Sequence, residues 1–418
     1  MRFGDELRTD VVHAFRSLRR TPRFGLVVVA LLGLGLTAGA TLFGLVDRML
    51  LRPPPGVADP GRIARLGLLE TRRIPPFGTF VSTGLAWIDY TALLENARTL
   101  DGAATYFSTS LSFGRGENAR SVAVTAASAS YFPVLGVVPR LGRFFSTAED
   151  SRGAGEGTCV LSYGFWQREF SGRPDVLGRS LLLGSRTYTV VGVAPEGFNG
   201  IDLNAVDLWT PIMVTAPDLM GSDEQLWTTD GSHWVRIIGR LRAGVSHALA
   251  EDDATRAYRT FTTRGRDREL KARAVWEPVQ SARGSNRSPR VQIAKWLAGG
   301  SAGLLLLICA NLVNLFLARN LSRARETAVR LAVGGNRFRL FRFQLVESGI
   351  LAAGSGGVAL LGVAWMGGAA RSMLVPGNTW VGSSLDFRVA AVAVGLALSI
   401  GAFVAALGTW HAGRLDPA

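Results

Sequence analysis

Four long uncharged runs punctuate the chain, and the stretch between the first two follows a different pattern. Phe24 to Val46, Trp296 to Ala318, Ser348 to Ala370 and Val389 to Gly413 contain no Asp, Glu, Lys or Arg. Each reaches the roughly 20 residues that an α-helix needs to cross a hydrocarbon core of about 30 Å. They predict four membrane-spanning helices, over 24–46, 295–318, 348–370 and 389–413. Glycine is frequent in the first run. That would weaken a soluble helix, whereas in lipid small residues let backbones approach. Gly35 and Gly39 form one small-xxx-small step. The run follows an arginine-bearing segment and continues into Asp47-Arg48-Met49 with no small-residue cleavage site, so it reads as an uncleaved helix and not a signal peptide.

Residues 47–294 show shorter periods. Ser82 to Arg98 carries Trp87, Tyr90, Leu93 and Leu94 at helical spacing and predicts an amphipathic helix. Alternation in Ser121–Thr125 and Arg186–Val193 predicts strands, and Tyr163 to Phe170 a short aromatic helix. Strands mixed with short helices predict a large α+β domain, long enough for one big unit or two small ones. The Gly-rich 151–157 stretch and polar 279–290 read as loops, the latter a tether into the second spanning helix. The clusters Glu149-Asp150 and Glu251-Asp252-Asp253 are expected on the solvated surface.

Arginine placement orients this pattern. Arg16, Arg19, Arg20 and Arg23 precede the first helix. Arg319, Arg323, Arg325, Arg330, Arg337, Arg339 and Arg342 lie between the second and third, with Glu326 the only acid among them. The positive-inside rule then makes 1–23, 319–347 and 414–418 cytoplasmic, and 47–294 and the short 371–388 loop external.

Composition adds mainly exclusions. A mean hydropathy of +0.22 is modest because it averages apolar runs with a polar domain. The net charge of +14 is concentrated in the two arginine segments beside membrane helices. Anionic headgroups account for that placement, and no nucleic-acid recognition motif accompanies it, so no nucleic-acid partner is expected. Cys159 falls outside the membrane and Cys309 within the second run, so they cannot pair. His13, His233, His247 and His411 are scattered with no HExxH spacing, and no GxSxG elbow or paired-Cys pattern occurs. Neither an enzyme nor a cofactor or metal site is expected. A phosphate-binding P-loop requires a Gly-Lys-Ser/Thr step, but the only lysines, Lys271 and Lys295, precede Ala272 and Trp296. Any ATPase that drives this chain is therefore expected on a separate subunit.

Three stretches carry a family likeness. Ala14-Phe-Arg-Ser-Leu-Arg-Arg-Thr-Pro-Arg-Phe leads into the first helix, which ends Val46-Asp-Arg-Met-Leu-Leu-Arg-Pro-Pro-Pro. In the external segment, Val160-Leu-Ser-Tyr-Gly-Phe-Trp-Gln-Arg-Glu-Phe precedes Val176-Leu-Gly-Arg, Tyr188-Thr-Val-Val-Gly-Val-Ala-Pro-Glu-Gly-Phe and Asp207-Leu-Trp-Thr-Pro. Beyond the second helix come Ala310-Asn-Leu-Val-Asn-Leu-Phe-Leu-Ala-Arg, Arg325-Glu-Thr-Ala-Val-Arg-Leu-Ala-Val-Gly-Gly-Asn-Arg and Gln344-Leu-Val-Glu-Ser. With one helix, a large external domain and three more helices, the chain resembles MacB/FtsX-type ABC transporter permeases, and is closer still to the duplicated ADOP-type permeases. The resemblance implies a multi-pass protein of the bacterial inner membrane with a periplasmic MacB-like core domain and an FtsX-like helix bundle. It implies a separate P-loop ATPase as partner and an envelope protein as a further one. Duplicated permeases carry two such halves, whereas this chain stops at Asp416-Pro-Ala; the expectation is a homodimer or pairing with a second permease half.

The resemblance also implies that ATP hydrolysis in the cytoplasm is transmitted through the helices to the external domain. Segment 319–347 is the candidate coupling element, with Arg323, Arg325, Glu326, Arg330 and Arg337 as candidate ATPase contacts. Glu326 and Arg330 form an i,i+4 pair of favourable orientation, and Gly334-Gly335 breaks the helix before Arg337. The alternative reading is a membrane-anchored sensor or adaptor whose external domain binds an envelope ligand or protein.

Overall fold

The computed structural model describes residues 2–47, 52–70, 80–116, 119–151, 157–202, 206–220, 232–262, 273–279, 296–315 except 297, 305 and 312, 337–374 and 387–412. The chain divides into two compact units, one made of Met1–Arg48, Gln292–Pro376 and Gly382–Ala418, the other of Met49–Val291 and Gly377–Val381.

The first unit is helical: α1 (Arg2–Arg20), α2 (Pro22–Val46), α8 (Ala298–Leu315), α9 (Arg337–Leu374) and α10 (Phe387–Ala412). Thr21 separates α1 from α2, and Pro22 opens the second helix, where its missing N–H would have found no partner anyway. Along α2, Val28, Leu32, Leu36 and Ala40 recur every fourth residue and are all buried. The first three belong to a cluster with Ile308 of α8, Leu351, Ala352 and Ala359 of α9 and Ala397 of α10; Ala40 packs with Val363, Val389 and Ala393. Glycines set the closeness of these contacts. A Cβ on Gly33 would meet Val358 at 2.7 Å, and one on Gly362 would meet the Thr37 hydroxyl at 2.4 Å. Close approach is thus made at Gly33 and Gly362 on facing helices, as expected where dispersion holds helices together in lipid.

Among the described residues, three helices are long and apolar enough to cross a membrane: Pro22–Gly44, Ala298–Leu315 and Leu345–Trp365. The fourth apolar run is helical too, as part of α10, but its described apolar stretch, Phe387–Ser399, is shorter. Two differences from the sequence reading stand out. Residues 2–20 form a regular amphipathic helix, which their arginines had disguised as a topology signal. And α9 starts at Arg337, well ahead of 348: Arg337 to Glu347 continue the helix although Arg337, Arg339, Arg342 and Glu347 interrupt the uncharged run there.

The second unit is built on one 11-stranded sheet. Its strands are β1 (Ile63–Glu70), β2 (Phe80–Ser82), β3 (Leu100–Phe113), β4 (Arg120–Ala127), β5 (Leu141–Gly142), β6 (Gly157–Leu161), β7 (Ser180–Leu183), β8 (Arg186–Val193), β9 (Leu208–Pro211), β10 (Arg236–Leu241) and β11 (Arg273–Pro278). The order is β11-β1-β10-β3-β4-β9-β6-β8-β5, with β2 on β1 and β7 on β3 and β8. Pairs β4/β9 and β6/β8 are parallel, and the rest are antiparallel. Helices α3 (Trp87–Asn96), α4 (Tyr131–Leu135), α5 (Tyr163–Phe170), α6 (Ile212–Met220) and α7 (His247–Thr262) complete the α+β domain.

Strand period sorts its core. In β3 and β10, Ala103, Phe107 and Ile237 join one cluster with Leu93 and Tyr258 of α3 and α7, while Ala104, Tyr106 and Ile238 join another with Tyr131, Phe132 and Trp209. A third cluster packs Phe165 and Trp166 of α5 against Cys159, Leu161, Tyr188 and Val190. The helix expected over Ser82–Arg98 is shorter than its periodicity suggested. Ser82 ends β2, Leu85 bridges Val235, and the helix starts at Trp87, where the Ala86 amide donates to the Asp89 carboxylate at 2.8 Å. Gly157, read as loop, opens β6.

Candidate functional site

Of the expected coupling contacts, Arg323, Arg325, Glu326 and Arg330 lie outside the described residues. Arg337 is the first residue of α9, and its side chain is likewise outside them. The described part of the helical unit brings other polar groups together. Ser17 of α1 donates its hydroxyl to Glu347 Oε1 of α9 at 3.3 Å. Glu347 is only 6% exposed, although it lies within the apolar stretch Leu345–Trp365, and the neighbouring Ser348 hydroxyl is buried with no partner. Around this link Leu18 and Phe24 pack into the cluster that holds Leu351. α1 is thereby fixed to the charged end of α9.

A second carboxylate, Asp47, caps the C-terminal end of α2. It is 1% exposed, and Arg388 Nη1 of α10 approaches its Oδ1 at 3.5 Å. Buried ionisable groups at apolar helices are costly and are kept paired, which makes them candidates for a role in movement. The signal that could have found both was present. Asp47 ends the first uncharged run, and Glu347 sits immediately before the third.

In the sheet domain the acidic clusters are solvated only in part: Asp252 is exposed as expected, Glu149, Asp150 and Glu251 are half-buried, and Asp253 is buried. Asp253 is 2% exposed, and its Oδ2 accepts from the Arg98 amide at 2.7 Å, the Thr99 amide at 2.8 Å and the Thr99 hydroxyl at 2.8 Å; Arg256 pairs with the other oxygen. Burial would raise this carboxyl, but the bonds from Thr99, Arg98 and Arg256 outweigh it and hold the group below its ordinary range. Asp150 accepts from the Ala129 amide at 2.9 Å and the Met213 amide at 3.1 Å, serving as a cap for α6 from a distant loop. Here burial prevails over the amides and pushes the carboxyl up to about 6. Glu149 is chelated by Arg143 through bonds of 2.7 and 2.8 Å and falls to about 2, chiefly through that hydrogen bonding.

A further ionic group joins three strands and a loop. Asp202 takes Arg65 of β1 at 2.7 Å, Arg236 of β10, and the Tyr106 hydroxyl of β3 at 3.3 Å. Burial pushes the Tyr106 phenol up to about 12, so it remains a donor throughout the physiological range. Asp207, from the Asp-Leu-Trp-Thr-Pro stretch, accepts the Ala123 amide at 2.9 Å and pairs with Arg168 of α5 at 2.7 Å. These carboxylates tie strands to helices. Among the described residues no group of three His, Cys, Asp or Glu could hold a metal. His233 lies in an exposed loop, and His247 opens α7. Cys159 is wholly buried in β6, where burial raises its thiol far above the ordinary range.

Apolar helices packed through glycine, carboxylates buried at their ends, and a sheet domain threaded into the chain between α2 and α8 define a membrane protein with a large α+β domain. A model of the MacB-like periplasmic core domain matches residues 26–257, so the match starts inside α2 and runs through the sheet into α7. The chain belongs to this family, that of the MacB/FtsX-type permeases. It is 25% identical over 306 residues to the macrolide export ATP-binding/permease protein MacB of Hahella chejuensis, covering 71% of this chain and 42% of the relative. It is 26% identical over 310 residues to the probable syringafactin export ATP-binding/permease protein SyfD of Pseudomonas syringae pv. syringae, again over 71% and 42%. The chain thus spans about two-fifths of the length of these relatives. Among solved structures, the periplasmic region of MacB from Actinobacillus actinomycetemcomitans matches 54% of this chain and 91% of its own, with a TM-score of 0.37 and 16% identity.

Proposed function

We propose that this chain is the transmembrane permease subunit of an ABC-type transporter or mechanotransmission complex in the bacterial inner membrane. ATP hydrolysis on a separate cytoplasmic P-loop subunit would drive movements of its periplasmic sheet domain. The observation that carries the reading is the family match from residue 26 to residue 257, which takes in a membrane helix and the domain together. No Gly-Lys-Ser/Thr step occurs in these 418 residues, so the reading places ATP binding outside them. Arginine placement supports cytoplasmic 1–23, 319–347 and 414–418 and a periplasmic 47–294. The cytoplasmic contact is assigned to Arg323, Arg325, Glu326, Arg330 and Arg337. The complex is completed by a second copy or a second permease half, and by an envelope partner on the periplasmic side. Affinity purification of the full chain from membranes tests the reading: a P-loop ATPase should co-purify. Glu326→Arg, at equal membrane abundance, should reduce that capture several-fold, and unchanged capture removes Glu326 from the contact. Recovery of a histidine kinase or response regulator in place of an ATPase would refute the permease reading.

A further inference from the structure

Trp209 of β9 is wholly buried, yet its indole Nε1 meets no acceptor. Arg65 of β1 repeats the pattern. Its Nη2 reaches Asp202 at 2.7 Å, but its Nε is buried and likewise without a partner. Both donors belong to one neighbourhood. Asp202 also takes Arg236 and the hydroxyl of Tyr106, whose ring packs against that of Tyr131 with centroids 5.5 Å apart. The Tyr131 hydroxyl and Trp209 Cζ2 in turn converge on Gly200, where an added Cβ would meet them at 3.6 and 3.9 Å. Cζ2 flanks the ring carbon that carries Nε1, so the unpartnered edge of the indole faces the stretch from Gly200 to Asp202. The side chains of Arg65 and Asp202 are 14% and 8% exposed, so bulk water does little to satisfy this cluster.

A buried donor without an acceptor is costly, and two of them in one neighbourhood ask for a ligand that only accepts. Water serves poorly here, because it brings two protons of its own and the nearest carboxylate, Asp202, already has three donors. A halide brings none. Two guanidinium groups face one carboxylate, so the charge of the cluster favours an anion. The close surroundings of Gly200 select a monatomic ion over an organic acid. We propose that Arg65 and Trp209, with the Tyr131 hydroxyl, form a site for one chloride ion. The Tyr131 oxygen accepts from the Ile201 amide, which leaves its proton for the ion. The ion ties β9 to β1 at the loop that carries Asp202, and so joins distant strands of the sheet.

The test follows urea unfolding of the full chain in detergent, with chloride exchanged for gluconate at constant ionic strength, gluconate being too large for the site. A single ion that binds only the folded state raises the ratio of folded to unfolded protein about ten-fold for each ten-fold rise in chloride above its dissociation constant. Wild type should show this slope, and equilibrium dialysis with radiolabelled chloride should find one ion per chain. Trp209→Phe and Arg65→Gln should each lose both the slope and the bound ion; Arg65→Gln decides alone if Trp209→Phe does not fold. Asp202→Asn removes a repelling charge and should move the onset of the slope to chloride concentrations about five-fold lower, a response that a purely structural ion pair would not give. Arg173→Gln, in an exposed pair with Asp175, should behave as wild type. Three results would overturn the proposal: no chloride slope in wild type, which would leave water at the site; a slope that survives in Arg65→Gln, which would put the ion elsewhere; or weaker chloride binding in Asp202→Asn.

Discussion

Replacing Asp253 by alanine should destabilise the sheet domain out of proportion to the size of the change. Three donors converge on one carboxylate oxygen, two of them backbone amides at the turn before β3. Once the carboxylate is gone, the Thr99 hydroxyl can rotate to another acceptor, but the Arg98 and Thr99 amides cannot. A buried donor left without a partner costs about 1–3 kcal/mol, so two of them cost about 4 kcal/mol. The Arg256 pair adds little, since that side chain is 68% exposed and its attraction is screened. Urea unfolding of the full-length protein in detergent, followed by tryptophan fluorescence, reads this directly, because Trp276 and Trp234 sit in or against the same core. With a slope of about 3 kcal/mol per M, the midpoint should fall by roughly 1.3 M. Arg256→Ala should shift it by less than about 0.3 M. The pH dependence has a definite sign. A carboxylate whose folded pKa is depressed stabilises above its unfolded value, near 3.9, and loses that contribution as pH falls through the folded value. The gap between wild type and Asp253→Ala should therefore narrow as the pH drops below about 4. A midpoint unchanged at pH 7, or an Arg256→Ala shift as large as that of Asp253→Ala, would refute the reasoning.

Asp150 should show the opposite dependence. Its carboxyl is raised to about 6, so the folded state binds the proton more tightly, and wild type should gain stability relative to Asp150→Asn as pH falls from 7 to 5 in the same urea assay. Gly362→Val should cost about 1–3 kcal/mol or more through the clash with Thr37, while Gly357→Val, with open space around it, should be nearly neutral; thermal unfolding in detergent distinguishes them. Cys159 should resist a water-soluble maleimide until the sheet domain unfolds, since it is fully buried with its thiol held protonated; mass spectrometry of the labelled chain across a urea series reports it.

Local pattern made much of this fold legible. Strand β8 coincides with the alternation of Arg186 to Val193, and α5 with the aromatic spacing of Tyr163 to Phe170, because both elements bury one face whose period is written in adjacent residues. The apolar runs likewise needed nothing distant. What escaped depended on partners far along the chain. Asp253 looked like surface among three acids, but it is claimed by donors more than 150 residues away. Asp150 reads as surface as well until α6 brings up Met213. The α1 helix was missed for another reason: its periodicity of Val11, Ala14, Phe15 and Leu18 is present, but arginines of the same stretch suffice to set topology and drew the whole explanation. Glu347 was assigned to a charged segment because it borders the apolar run, and only the docking of α1 shows why a carboxylate can be buried there.

The edge of the sheet has a mechanical meaning. β1, the first strand of the domain, and β11, the last, are paired antiparallel, with Ala64 opposite Pro278 and Leu69 opposite Arg273. The two ends of the domain thus emerge side by side from the same end of one strand pair. If the segments joined to them travel together, the pull enters both strands in the same sense, and the 11-stranded sheet follows as one piece. If they separate, the load falls first on the Ala64–Pro278 end and opens the pair one hydrogen bond after another, like a zip. A domain attached in this way can be carried easily but resists being parted only weakly, so its mounting favours concerted travel of the two flanking segments.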